Sequence, residues 1–177
     1  MDKRKKQVKE RLLQALRTIT TNKSLGHVTV TDLVTESGVA RASFYRNFKG
    51  IADLIDYGVN QLREEYWKNA PQNKGSFVEP AMLEYTFSFY YQNRNLILSF
   101  HHAGTSTTVL EIITESMALS YGTMPANSIL RYRLYYYAGA LDNMMIHWLE
   151  SGAKESPHEM ALAFLQFANF TPESETK

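Results

Sequence analysis

The stretch TESGVARASFYRNF, Thr35–Phe48, decides how this chain is read. Gly38 stands where a short helix must stop, because a left-handed residue at a helix C-terminus costs glycine nothing. Upstream, Thr29 with Asp32 three residues on is a start signal for a second helix, whose inner face is Val30, Leu33 and Val34. Downstream, a third helix is expected from about Ala40 to Phe48. At about 100° per residue, Phe44 and Phe48 share one face and must pack inward. Ala42, Ser43 and Arg46 then point away, Tyr45 and Asn47 lie on the flanks, and Arg41 projects near the N-terminal end.

Two short helices joined by a glycine turn, with a longer helix before them, make a helix-turn-helix. The residues around the phenylalanine anchors suit a DNA groove. Ala42 and Ser43 are short enough to let the backbone approach a base edge. Arg41 has the fork for guanine O6 and N7. Tyr45, Arg46 and Asn47, with the helix dipoles, can hold phosphates. Thr29 and Thr31 each place a hydroxyl where backbone or base is in reach. A three-helix protein-interaction module with solvent-facing Arg and Asn is the competing reading.

Charge is unevenly spread. Residues 1–50 carry eleven Lys/Arg against four Asp/Glu, a balance of +7, whereas residues 51–177 carry eight against fourteen, a balance of −6. A solvated helix face explains a short lysine cluster, but a split over fifty residues favours a polyanion partner for that end. The 177 residues, 44% hydrophobic, are enough to bury roughly 70% of the unfolded chain's surface. No cysteine is present, which excludes disulfides, thiolate metal sites and cysteine nucleophiles, and fits a reducing cytoplasm. The start, MDKRKKQVKERLLQALRTIT, lacks an apolar signal segment, and no run reaches the about 18 apolar residues of a membrane span. A soluble cytoplasmic protein with no membrane partner is expected.

Helical periodicity runs nearly throughout. Val8, Leu12, Ala15, Leu16 and Ile19 form the stripe of a first helix ending near Asn22–Gly26. A fourth begins near Gly50 and carries Ile51, Leu54, Ile55, Val59 and Leu62 to about Asn69. APQNKGS, 70–76, is the linker-like stretch. The expected division is a DNA-binding domain over 1–50, a connecting helix over 50–69 and a helical domain over 70–177. Within the last, Ser76 opens a helix running to about Gln92, Gly104 and Gly122 suit helix ends, and Asn127 caps a long helix over 128–151. Ser156-Pro157-His158-Glu159 combines a serine cap, proline at the first helical position and the capping-box glutamate, ahead of a helix to about residue 170. No strand or repeat is expected, and the tail TPESETK should fray.

Residues 28–50, VTVTDLVTESGVARASFYRNFKG, resemble the tetracycline-repressor-like (TetR-type) regulators. They follow that family's Thr-x-x-x-[Ile/Leu]-[Ala/Val]-x-x-[Ala/Ser]-Gly-Val-x-x-x-[Thr/Ser]-[Phe/Leu]-Tyr-x-[His/Asn]-Phe pattern. With the first and fourth helices the resemblance covers about seventy residues. It implies an all-α protein: an N-terminal three-helix helix-turn-helix domain and a larger helical domain for ligand binding and dimerisation. It places Arg41, Ala42 and Ser43 where such proteins read bases. Thr29, Tyr45, Arg46, Asn47 and Lys49 fall at phosphate contacts, and Thr31 at either. Asn47 replaces the commoner His, and Ile51 stands where many members carry a second Lys.

The later part is rich in aromatics, in EYTFSFYYQNRNLILSFHH (84–102) and RYRLYYYAGALDNMMIHWLE (131–150). Tyr and Trp with polar tips line a cavity, build a dimer face or fill an ordinary core. Tyr85, Phe89, His101, Tyr136, Asp142 and Trp148 are the candidates for an aromatic or amphipathic effector, with Asn143 beside them. Ala138-Gly139-Ala140 thins the long helix for close approach, and the last two helices are the expected homodimer surface. Pairing is needed because one short reading helix touches too few bases. His101, His102, His147 and His158 form no i, i+4 pair, so no metal is expected. With no nucleophile elbow, phosphate loop or triad, neither a cofactor nor an enzyme activity is expected. The resulting expectation is a repressor on a near-palindromic operator, released by a small molecule; a regulator without an effector is the alternative.

Overall fold

The computed structural model describes residues 3–71, 79–104, 114 and 129–168. Among them are eight α-helices, one 3₁₀ turn and no strand. The helices are α1 Lys3–Ile19, α2 Val30–Ser37, α3 Arg41–Asn47, α4 Ile51–Asn69, α5 Pro80–Gln92, α6 Arg94–His102, α7 Leu130–Glu150 and α8 Pro157–Ala168; the 3₁₀ turn is Leu25–His27. The expected cap at Ser76, helix end at Gly122, cap at Asn127 and frayed tail lie outside the described residues. None of the described helices is long and apolar enough to cross a membrane.

Two compact units form. One holds the described residues of Met1–Asn69 and Asn93–Val109, the other those of Ala70–Gln92 and Leu110–Lys177. In the first, α1 packs on α2, α3 and α4, α2 packs on α3, and α6 lies against the 3₁₀ turn. Leu12, Ala15 and Leu16 of the α1 stripe are buried as their spacing requires, and Leu13 joins them, while Val8 and Ile19 are half-buried. Leu33, Leu54, Leu96 and Phe100 complete the fully buried centre. Gly58 sits inside α4, where a Cβ would lie 2.9 Å from Leu13 Cδ1 and 3.4 Å from Phe100 Cζ. The missing side chain therefore sets how closely α4 approaches α1 and α6.

The same unit contains a part-buried polar tie. Arg17 Nη1 donates to Asn93 Oδ1 at 2.7 Å, joining α1 to the residue that opens α6. Burial pulls the Arg17 pKa down, and the charge of Glu65 opposes that shift.

In the second unit α5 packs on α7 and α8 around Leu83, Phe87, Leu141, Met145, Ala161 and Phe164. Phe87 meets Trp148 edge-on with centroids 5.6 Å apart, and Trp148 Nε1 donates to the Glu155 carbonyl at 3.2 Å. The start signal at Ser156 forms as read: its N–H donates to Glu159 Oε2 at 2.7 Å, and the Glu159 N–H donates to Ser156 Oγ at 3.2 Å. Those bonds to Ser156 hold the Glu159 pKa down.

Candidate nucleic-acid interface

The turn is built by local chemistry. Thr29 caps α2: its backbone N–H and its hydroxyl donate to Asp32 Oδ2 at 2.8 and 2.7 Å, and the Asp32 N–H donates back to Thr29 Oγ1 at 3.2 Å. Lys23 Nζ reaches the same carboxylate oxygen at 2.6 Å. The Lys23 ammonium, followed by the Thr29 donors, holds the Asp32 carboxyl down to about 2. At the other end Gly38 is the C-cap with φ 61°, the left-handed value expected of it. Above it, Arg11 Nη2 donates to the Ser37 carbonyl at 2.6 Å.

The two phenylalanines do what the third helix requires. Phe44 is 0% exposed and Phe48 2%, their centroids 5.9 Å apart. Burying one such ring contributes about 1.5–3 kcal/mol. Phe48 packs against Tyr57 of α4, and Lys9 Nζ stands 5.0 Å from the centroids of both rings. The opposite face of α3 is open: Arg41, Ala42, Tyr45 and Arg46 are exposed, and Ser43 and Asn47 half-buried.

These open residues are held in a network. Arg41 Nη1 donates to Thr31 Oγ1 at 3.1 Å and Nη2 to the Tyr45 hydroxyl at 3.5 Å, with the guanidinium 5.8 Å from that ring's centroid. Arg46 Nη2 donates to Ser43 Oγ at 2.7 Å, and Asn47 Nδ2 to the Ser43 carbonyl at 2.7 Å. The Lys49 side chain is exposed, while its backbone N–H donates to Asp53 Oδ2 at 3.0 Å. Thr31, Arg41, Ser43, Tyr45, Arg46 and Asn47 thus lie in two hydrogen-bonded groups on α2 and α3. Thr29 stands apart: its hydroxyl is committed to the cap, so a phosphate contact from it requires that cap to open.

The polar face of α1 also shapes this region, through Lys9 and Arg11. Their spacing marks only a solvated helix face, since the partners Phe48 and Ser37 lie 39 and 26 residues on.

The six effector candidates are divided between the two units. His101 is on α6 in the first unit, half-buried, its ring 5.7 Å from that of His102. The other five belong to the second unit. Phe89 and Trp148 are buried, Tyr85 and Asp142 half-buried, and Tyr136 is 61% exposed. A groove of about 390 Å³ lies between α7 and α8, lined by Tyr136, Tyr137, Asn143, Met144, Phe164 and Phe167 among others. Of the six candidates, Tyr136 lines it. Among the described residues no cluster of three His, Cys, Asp or Glu could hold a metal ion.

Comparisons with known proteins bear on this geometry. A TetR-type family model described as "Transcriptional regulator C-terminal region" matches residues 80–170, half of the chain. No curated relative matches. Among solved structures, a TetR transcriptional regulator from Streptococcus agalactiae 2603V is similar at 14% identity and TM-score 0.71, over 94% of this chain and 96% of that one. A tetR-family regulator from Streptomyces coelicolor is similar at 13% identity and TM-score 0.70, over 92% and 79%. The dihydroxyacetone kinase operon activator DhaS is similar at 11% and 0.64, over 91% and 93%. The chain has the all-helical fold of these regulators, and it belongs to the TetR family of DNA-binding transcriptional regulators.

Proposed function

We propose that this protein is a homodimeric cytoplasmic repressor whose α3 helices enter successive major grooves of a near-palindromic operator, acting by binding alone and without catalysis. Residues 1–50 form the reading head, α4 connects over 50–69, and residues 70–177 carry effector binding and pairing. Arg41 gives guanine O6 and N7 its two donors, and Ala42 and Ser43 meet base edges. Tyr45, Arg46, Asn47 and Lys49 hold phosphates, Thr31 serves either, and Thr29 reaches a phosphate through an opened cap. The observation that carries this reading is the two-sidedness of α3, with Phe44 and Phe48 sealed inward and Arg41, Ala42, Tyr45 and Arg46 facing out.

The dimer surface is α7 with α8. Tyr132, Tyr136 and Phe167 are 71%, 61% and 60% exposed, more bare aromatic surface than a monomer normally leaves in water. A ligand in the C-terminal domain changes the separation of the two heads and lowers operator affinity; each ligand then weakens the other's binding equally. Packing of α6 in the same unit as α1 and α4 supports this route, because a shift of α6 acts on Gly58 through Phe100 and on Arg17 through Asn93. The similarity to a protein described as an operon activator favours activation as the second reading. Selection of duplexes from a random pool tests the core claim: an inverted repeat is expected, and recovery of unrelated sequences would remove it. Transcription from a reporter carrying that repeat then gives the sign.

A further inference from the structure

The Arg41 guanidinium is held from both helices of the turn. Thr31 Oγ1, in the first turn of α2, accepts from Nη1 at 3.1 Å, and the Tyr45 hydroxyl of α3 stands 3.5 Å from Nη2. An arginine fork has N–H donors to spare, so these contacts leave enough for guanine O6 and N7. Thr31 is itself a fixed post. Its β-branched side chain is stiff. The cap formed by Thr29, Asp32 and Lys23 secures the start of α2, and Arg11 secures its end at the Ser37 carbonyl. Because Thr31 lies on α2 and Arg41 on α3, their bond sets the direction of the fork relative to both helices, which a contact within α3 cannot do.

We propose that Thr31 is a specificity-determining positioning residue, which serves base recognition at one remove by aiming Arg41 at a guanine edge. This holds only if α3 is the helix that enters the groove. Thr31, Arg41 and Tyr45 are exposed, so water competes for their bonds in the free protein. A duplex that expels this water leaves the Thr31 bond to decide where the fork points. Holding a long side chain in its bound geometry lowers the ordering cost of binding. That gain arises only where the fork meets guanine, so on other DNA Thr31 is silent.

The test uses the full-length parent, Thr31→Val, Thr31→Ser, Arg41→Ala and the double variant Thr31→Val/Arg41→Ala, each checked for folding by a circular dichroism melt. Valine keeps the branched shape and removes the hydroxyl, whereas serine keeps the hydroxyl. The probes are a duplex recovered from the random pool, the same duplex with the Arg41-dependent G·C pair changed to A·T in both half-sites, and a random duplex of equal length. Thr31→Val should weaken the selected duplex by roughly fivefold per half-site, the size of one net hydrogen bond. Affinity for the other duplexes and the salt slope should match the parent's, because no phosphate contact is lost. In the Arg41→Ala background the same change should do nothing, and Thr31→Ser should keep most of the parent's preference.

Loss on every duplex with a lower salt slope would make Thr31 a phosphate contact. Loss of full size in the Arg41→Ala background would make it a base contact of its own, or a structural residue if random DNA is weakened too. Serine as damaging as valine would make shape the cause; each of these rejects the proposal. Thr31→Val equal to the parent on the selected duplex, with Arg41→Ala still weakened there, would remove Thr31 and leave α3 as reader. A parent that prefers no duplex would remove the α3 reading, and the part of Thr31 with it. Should Thr31→Val melt early, the cycle still decides, since a folding defect weakens both backgrounds alike.

Discussion

Arg11 donates from Nη2 to the carbonyl of Ser37 at 2.6 Å, so the first helix holds the end of the second one residue before the chain turns left-handed at Gly38. A Cβ on residue 38 would lie 3.1 Å from that same nitrogen. Gly38→Ala therefore meets two costs, a left-handed backbone and a crowded guanidinium. A loss of about 1–2 kcal/mol is expected from the backbone alone. Urea unfolding measures it, and Gly38→Asn, which tolerates this φ better, should recover part of the loss.

Arg41 is positioned in advance by Thr31 and Tyr45. Arg41→Ala should cost about 1–3 kcal/mol on the selected duplex and much less on random DNA. Equal losses in the two titrations would make Arg41 a phosphate contact.

Lys49 follows the buried Phe48 with its side chain in solvent. Lys49→Ala should weaken binding to all sequences alike and lower the salt slope by about one per half-site. A slope that does not move would take Lys49 off the interface.

Acid should loosen the start of α2. Asp32 sits at about 2 against an ordinary 3.8, so its carboxylate contributes stability above 3.8 that drains away as pH falls toward 2. Between pH 5 and 2 the urea midpoint of the parent should fall more steeply than that of Asp32→Asn. Parallel curves would show that the Lys23 and Thr29 bonds do not discriminate between folded and unfolded chains.

The pairing face is testable by charge. Phe167→Glu or Tyr132→Glu places a carboxylate on exposed aromatic surface of α8 or α7 and should give a folded monomer in sedimentation. Operator affinity should drop with it, since a single head reads only half of the repeat. A dimer that survives both changes would move the interface elsewhere.

Much of the head was legible without coordinates because its signals act over a few residues. A cap needs only Thr29 and Asp32, a stop needs only Gly38, and the inward face of α3 needs only Phe44 and Phe48 four positions apart. The same range made Ser156 and Glu159 readable. Effector candidates were not, because aromatic residues at helical spacing look alike in core, groove and surface. Phe89 and Trp148 are buried while Tyr136 lies open, and nothing local separates them.

Sequence by itself determined that this chain is helical, where its third helix begins and ends, and which face of that helix is exposed. Those are consequences of period, capping and backbone freedom. Tertiary structure alone decided that Arg11 would bind Ser37, that Lys9 would cover Phe48 and Tyr57, and that Arg17 would meet Asn93 seventy-six residues away. A cation on an amphipathic helix carries no local mark of its partner. Which of them pins the fold, and to what, depends on the helices packed beside it.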